Sequence, residues 1–369
     1  MTQNKIIVNV LANKHATYTR YLFPLKVFQR DLIDLGIHVN FHYDLTSPTL
    51  YMCDILLCVG GSYRELLTTT KKDRQAAIQW LEEVSEDVNK FIWFDVDDSS
   101  GALRTYVFPY ITTYLKAEVL KDLSYYTRGN LLTGALHRDF AASFIKEQEK
   151  TTYKGPVTFD DLKKIKIGWN LSLNSWKYYS CSNAILGELL VKNLRSYSVR
   201  YTTPNLSSRP VDISFRGSMW DKIPTVNWWR KQTRQMLTYY LTKKTSVISG
   251  GENHIEKKQF HKEIQNSKIT LSPFGIGEIC FRDFECFING SLLLKPNMDH
   301  LLTWPDLYID GVTYLSHKWD FSDFNEKLDS VLSHPERFEE IAREGQKRFQ
   351  DTLTNGQEFA RHFLSMITT

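Results

Sequence analysis

The sequence predicts an α/β protein built from two Rossmann-like domains with a cleft between them. Three observations carry this expectation. The chain has 369 residues, too many for one ordinary core and suited to two α/β domains of roughly 150–200 residues each. Short β-branched runs alternate with amphipathic segments in both halves, the rhythm of parallel sheets covered by helices. Between the halves lies YTTPNLSSRP (201–210), whose two prolines and four Ser/Thr make it the best linker in the chain. The expected division is 1–200, 201–350, and a last segment, 351–369, forming a helix that crosses back to the first domain.

The elements follow in order. Ile6–Leu11 is an apolar β-branched run and predicts a buried strand. Tyr21–Leu35 has helical periodicity, with Pro24 tolerable in the first turn. Strands are predicted at Val39–Tyr43, Asp54–Val59 and Phe91–Phe94, with a helix over Lys72–Val88. An aromatic stretch from Tyr106 to about Lys150 reads as helical, since Tyr106, Tyr110 and Tyr114 recur every four residues. A strand at Ile165–Trp169 and a helix at Ser182–Leu194 close the first half. In the second half, strands are expected at Asp212–Phe215, Ser246–Ile248, Ile269–Ser272, Leu292–Leu294, Leu307–Ile309 and Thr313–Leu315. Helices are expected at Thr225–Leu241, His254–Asn266, Gly277–Asn289, Phe321–Ser333, Pro335–Phe349 and Gln357–Met366.

Composition narrows the function classes. Hydrophobic residues make up 42% and charged residues 24%, a packed globular balance. Forty-six basic residues face 42 acidic ones, a net charge of +4 spread along the chain, so no nucleic-acid partner is expected. A mildly basic surface is compatible with peripheral contact with an anionic membrane. The five cysteines form no C-x-x-C and no zinc spacing, and read as free thiols in a reducing cytoplasm. The short apolar run before Asn13 and Lys14 is no signal peptide, and no stretch of ~18 apolar residues predicts a membrane span. No pattern sets the oligomeric state.

The segment that carries chemistry is KITLSPFGIGEICFRDFECFINGSLLLKP (268–296). A buried strand runs into Pro273, Gly275 and Gly277, and a helix is expected to begin at once. Glycines let the backbone approach a ligand closely. A helix N-terminus offers unpaired N–H groups and a partial positive charge, so the corner suits a diphosphate. On that helix Glu278, Arg282, Glu285 and Asn289 are spaced four, three and four, which places them on one face. Phe281, Phe284 and Ile288 take the face expected to pack on the sheet. An arginine can pair with phosphate bidentately, and a carboxylate can accept from both ribose hydroxyls. The bland alternative is an amphipathic helix whose Arg282 and Glu285 form a surface pair worth ~0.2–0.5 kcal/mol.

The stretch resembles the donor-binding segment of GT-B glycosyltransferases, in particular exostosin-like and related bacterial families. The shared pattern is a strand, a Pro/Gly loop (S-P-F-G-I-G-E), R-D-F-E, N-G, and a β-run ending in Pro. HPERFEEIAREGQKRF (His334–Phe349) resembles the closing helices of that family. The resemblance covers Asp212–Phe349 and implies a nucleotide-diphosphate sugar as co-substrate, with no other cofactor and no metal. It implies Glu285 on the donor ribose and Arg282 near the diphosphate. Some relatives separate their two glutamates by seven residues where this chain has six, which unsettles the role of Glu278 more than that of Glu285.

Arg216, at the end of the first strand of the second domain, is expected on the donor phosphates, with Arg230 and Lys231 as weaker candidates. FDVDDSSG (94–101) ends a strand of the first domain and faces the same cleft. Asp97 and Asp98 are the candidate general bases for an acceptor hydroxyl, ahead of Asp95. Asp-x-Asp also resembles the metal-binding motif of sugar transferases of another fold, a reading disfavoured for GT-B. His15 follows the first strand and is a further candidate base or ligand. The expected activity is sugar transfer to a hydroxyl of a glycan or lipid-linked acceptor, as in polysaccharide biosynthesis. A nucleotide-sugar 2-epimerase of the same architecture and a non-catalytic nucleotide- or sugar-binding protein stay open as alternatives.

Overall fold

The computed structural model describes residues 5–12, 20–60, 71–129, 131, 133–145, 156–174, 176, 199–219, 222–251 and 255–368. The predicted helix at Ser182–Leu194 and the candidate His15 lie outside the described residues.

The first half forms a six-stranded parallel sheet. Its strands are β1 (Ile6–Leu11), β2 (Ile37–His42), β3 (Ile55–Val59), β4 (Lys90–Asp95), β5 (Thr113–Lys116) and, after a short β6 (Glu118–Leu120), β7 (Ile165–Ile167), in the order β2-β1-β3-β4-β5-β7. Strands β3 and β5 are buried at every residue, as a sheet covered on both faces requires. The region Tyr21–Leu35 is split into α1 (Phe23–Val27) and α2 (Gln29–Asp34). Helix α3 (Lys71–Asp87) starts within a residue of its predicted place.

The aromatic stretch departs from expectation. Tyr114 lies on β5, its hydroxyl donating to Asp95 Oδ2 at 2.6 Å. Within the described part of this region only α4 (Ser124–Arg128) and α5 (Leu136–Ala142) are α-helical, besides a single 3-10 turn at Thr105–Val107. The tyrosine spacing mimicked a helix, but pairing of β5 between β4 and β7 buries far more of the segment. The short α6 (Phe159–Leu162) precedes β7 under a Thr158–Asp161 capping box.

The second half forms a five-stranded sheet. Strands β8 (Val211–Arg216), β9 (Val247–Gly250), β10 (Ser267–Leu271), β11 (Leu292–Pro296) and, after a short β12 (Leu301–Thr303), β13 (Leu315–His317) adopt the order β13-β11-β10-β8-β9, all parallel. Around it lie α7 (Pro224–Leu241), α8 (Lys257–Asn266), α9 (Phe281–Asn289), α10 (Phe324–Ser333), α11 (Glu339–Thr354) and α12 (Gly356–Thr368). Leu307–Ile309 is not a strand; Thr313 Oγ1 instead donates to Leu307 O and ties the segment into a loop.

Several contacts join the halves. Strand β12 pairs antiparallel with β6, residue Leu302 facing Val119. Phe140 of α5 stacks on Trp229 of α7 with ring centroids 5.9 Å apart. Helix α12 returns to the first sheet, where Phe359 meets Phe28 and Trp169, and the His362 ring lies 3.0 Å from Gly168 O through Nε2. The linker is tied down. Arg209 is buried and donates to Ile264 O and Ser267 O from Nη1, and to Asn289 O from Nη2. One guanidinium thus caps the C-terminal ends of α8 and α9, where carbonyls carry partial negative charge.

Candidate active site

A cleft of about 410 Å³ opens between the two sheets at the corner that joins β10 to α9. Its wall contains Gly275, Ile276, Gly277, Cys280, Phe281, Arg282 and Glu285 from the second half, with Arg230 and Phe260 beside them. Arg20, Tyr21, Asp98 and Leu171 complete it from the first half. The corner itself is a turn in which Gly275 N–H donates to Gly277 O at 3.1 Å. A Cβ on Gly277 would sit 2.8 Å from Asp98 O, so only glycine allows the first domain to approach this closely.

Helix α9 begins at Phe281, four residues later than predicted. The reason is local. Asp283 reaches back to accept from Cys280 N–H at 3.1 Å, and this cap fixes Cys280 as the first non-helical residue. Asp283 is itself fully buried and held by Lys295 Nζ at 3.3 Å, Ser272 Oγ at 2.5 Å and Tyr308 OH at 2.8 Å. Glu278 therefore lies on the loop rather than on the helix face with Arg282 and Glu285. It is sealed between the domains, accepting from Ser100 Oγ at 2.5 Å and lying 3.1 Å from His137 Nδ1. Burial opposes its ionisation, but His137 and His300 outweigh burial and hold the carboxyl well below the usual range.

Arg282 and Glu285 do reach the cleft together. Arg282 Nη2 donates to Arg216 O at 2.5 Å, its guanidinium lies 5.6 Å from the Phe215 ring centre, and its Nε has no hydrogen-bond partner among the described residues. Burial, and then the charge of Arg282, lower the pKa of Arg230. Glu285 is 6% exposed. Burial pushes its carboxyl up to about 7, against the opposing charges of Lys257 and Arg282. Phe281, expected on the sheet, instead lines the cleft, with the Arg20 guanidinium 5.3 Å from its ring centre.

The acidic run separates into three environments. Asp95 is buried with Lys116 Nζ at 3.3 Å; burial opposes ionisation, but Lys116, Arg104 and Tyr114 hold it low. Asp97 pairs with Arg104 Nη2 at 2.5 Å, away from the cleft wall. Asp98 alone lines the cleft, and burial, then the charges of Asp97 and Glu278, raise its pKa. Arg216 does not line the cleft: its guanidinium is engaged by Glu263, with Nε–Oε2 at 2.5 Å and Nη2–Oε1 at 2.8 Å. Arg20, Tyr21 and Phe260 were not singled out from sequence. Arg20 opens a 3-10 turn, Arg20–Leu22, nine residues beyond the end of β1, and had no local signal in the sequence. Among the described residues no group of three or more His, Cys, Asp or Glu is placed to hold a metal ion, and no helix is long and apolar enough to cross a membrane.

Residues 212–364 match a family model described as glycosyl transferase-like. The match spans the second sheet and the helices around it. The two parallel sheets with the returning helix α12 give the whole chain a GT-B fold. Similar solved structures include an alpha-glucosyltransferase in complex with UDP-glucose and DNA containing an abasic site, at 8% identity and a TM-score of 0.46, covering 99% of this chain and 100% of that one. An alpha1,3-fucosyltransferase is similar at 12% identity and a TM-score of 0.45, over 100% of this chain and 91% of that one. Anabaena HepE in complex with UDP-glucose is similar at 11% identity and a TM-score of 0.41, over 98% and 99%. No curated protein matches the chain.

Proposed function

We propose that the protein transfers a sugar from a nucleoside-diphosphate sugar to a hydroxyl of a glycan or lipid-linked acceptor, without a metal ion. One observation carries this reading: the glycine corner, Arg282 and Glu285 share one cleft with Asp98 from the opposite domain. In the reaction the bond between the sugar's anomeric carbon and the diphosphate oxygen breaks, and the acceptor oxygen bonds to that carbon. Negative charge grows on the departing diphosphate. Arg282, Arg230 and the first turn of α9 supply positive charge there, in place of a metal, from groups already held in position. Glu285 accepts from the ribose hydroxyls. Asp98 takes the acceptor's proton if the configuration inverts; burial and then the charge of Asp97 raise its pKa, the direction that strengthens a base.

The test is a thermal-shift panel of UDP-, GDP-, ADP-, dTDP- and CMP-sugars, repeated on Glu285→Ala. One donor should raise the melting temperature of the wild type and not of the variant. A shift that survives in full in Glu285→Ala removes the assignment. Release of free nucleotide only when an acceptor is added separates transfer from 2-epimerisation.

A further inference from the structure

We infer that Glu278 is a positioning residue that clamps the glycine corner of the cleft across the domain boundary, through Ser100, His137 and His300. The inference rests on the reading above, that this corner holds a diphosphate. Gly275 N–H donates within the turn to Gly277 O, and its carbonyl lies 3.3 Å from His137 Nε2, a side chain of the other domain. The same imidazole places Nδ1 3.1 Å from Glu278 Oε1, within ion-pair reach though outside hydrogen-bond alignment, so the ring touches the corner through both nitrogens. Ser100 Oγ donates to that carboxylate oxygen at 2.5 Å, and His300 Nε2 lies 3.6 Å from it. His137 is in turn fixed by Trp229, whose Nε1 donates to its carbonyl at 3.1 Å, and by Phe274, with ring centroids 4.9 Å apart.

Burial decides between clamp and ligand contact. The side chains of Glu278, His137 and Ser100 are fully buried. Gly277 and Ile279, on either side of Glu278, line the cleft while its own side chain does not. A ligand in the cleft therefore meets the backbone that Glu278 holds and not its carboxylate. A carboxylate this deep is retained only when paired, and its partners span both domains. Removing a partner frees the corner to move, and displacements of about an ångström at an anion-binding turn cost affinity and rate steeply.

The experiment measures affinity for bare UDP, GDP, ADP and dTDP by calorimetry in the intact chain, and then for the sugar conjugate of the tightest binder. Wild type is compared with Glu278→Ala, Glu278→Gln, Ser100→Ala and His137→Ala. The clamp predicts that Glu278→Ala weakens the bare diphosphate at least about tenfold, with Ser100→Ala and His137→Ala moving the same way. The ratio of conjugate to bare affinity stays constant, and Glu278→Gln, which keeps an acceptor for Ser100, recovers part of the loss. Bare-diphosphate affinities within about twofold of wild type in Ser100→Ala and His137→Ala overturn the inference, even if Glu278→Ala fails to fold. A loss confined to the conjugate also overturns it, because Glu278 would then act on the sugar. If wild type binds none of the four diphosphates, the reading of the cleft fails, and the inference with it.

Discussion

Replacing Glu285 by glutamine should stabilise the protein and weaken its function, and the two effects should separate with pH. The carboxyl is buried, and burial raises its pKa from 4.5 to about 7. The folded state then binds a proton that the unfolded state gives up, so stability falls as pH rises from about 4.5 to about 7 and stays lower above that. A rise from 4.5 to about 7 corresponds to about 3 kcal/mol at pH 8. Glutamine never ionises and avoids this cost. Glu285→Gln should therefore melt several degrees higher than wild type at pH 8 and close to it at pH 5. Nucleotide binding should change in the opposite sense. A neutral amide is a weaker acceptor for ribose hydroxyls, a loss of about 1.5–3 kcal/mol or roughly ten- to a hundredfold in affinity. Because binding favours the ionised form, wild-type affinity should rise between about pH 5.5 and 7, with net proton release in calorimetry at pH 6.5. Melting curves at both pH values, with titrations of the bound nucleoside diphosphate, check all of this. The reasoning fails if the variant gains nothing at pH 8, or if it binds nucleotide as tightly as wild type.

Three further outcomes follow from the same geometry. Asp98→Asn should lower turnover by about 10²–10⁴-fold with nucleotide affinity unchanged, whereas Asp97→Asn, whose carboxylate meets Arg104 away from the cleft wall, should keep most of the activity; steady-state kinetics of both variants decide it. Arg282→Ala should weaken bare nucleoside-diphosphate binding by roughly ten- to a hundredfold in calorimetry, while Arg216→Ala should cost less because Glu263 already holds that guanidinium. Gly277→Ala should destabilise by about 1–3 kcal/mol, since the new methyl meets Asp98 O at 2.8 Å, whereas Gly275→Ala meets nothing closer than 3.5 Å and should melt near wild type.

Some of this molecule was legible from local chemistry. Periodicity marked β1, α3, α7 and the β10–α9 corner, because strands buried on both faces read as unbroken apolar runs and long helices as stripes. Glycines before a helix marked the corner that lines the cleft, and spacing put Arg282 and Glu285 on one side of that helix. Other features had no local signature. Tyr114 followed a helical spacing yet joined a strand, since its neighbours in β4 and β7 come from distant sequence. Strand β12 exists only because β6 of the other domain pairs with it.

The acidic run makes the same point at the site. Asp95, Asp97 and Asp98 are equivalent as letters, but Lys116 takes the first, Arg104 the second, and only the third meets the cleft. Spacing counts Glu278 with the helix, but Asp283 sets the cap at Cys280 and leaves Glu278 on the loop, facing His137. Local patterns were enough to place the two α/β layers and the residues that stand at the β10–α9 corner, because both depend on neighbours a few positions apart. Which charges meet depends on the packed fold, because ionic and hydrogen-bond partners are set by distance through space, and burial sets what each pairing is worth.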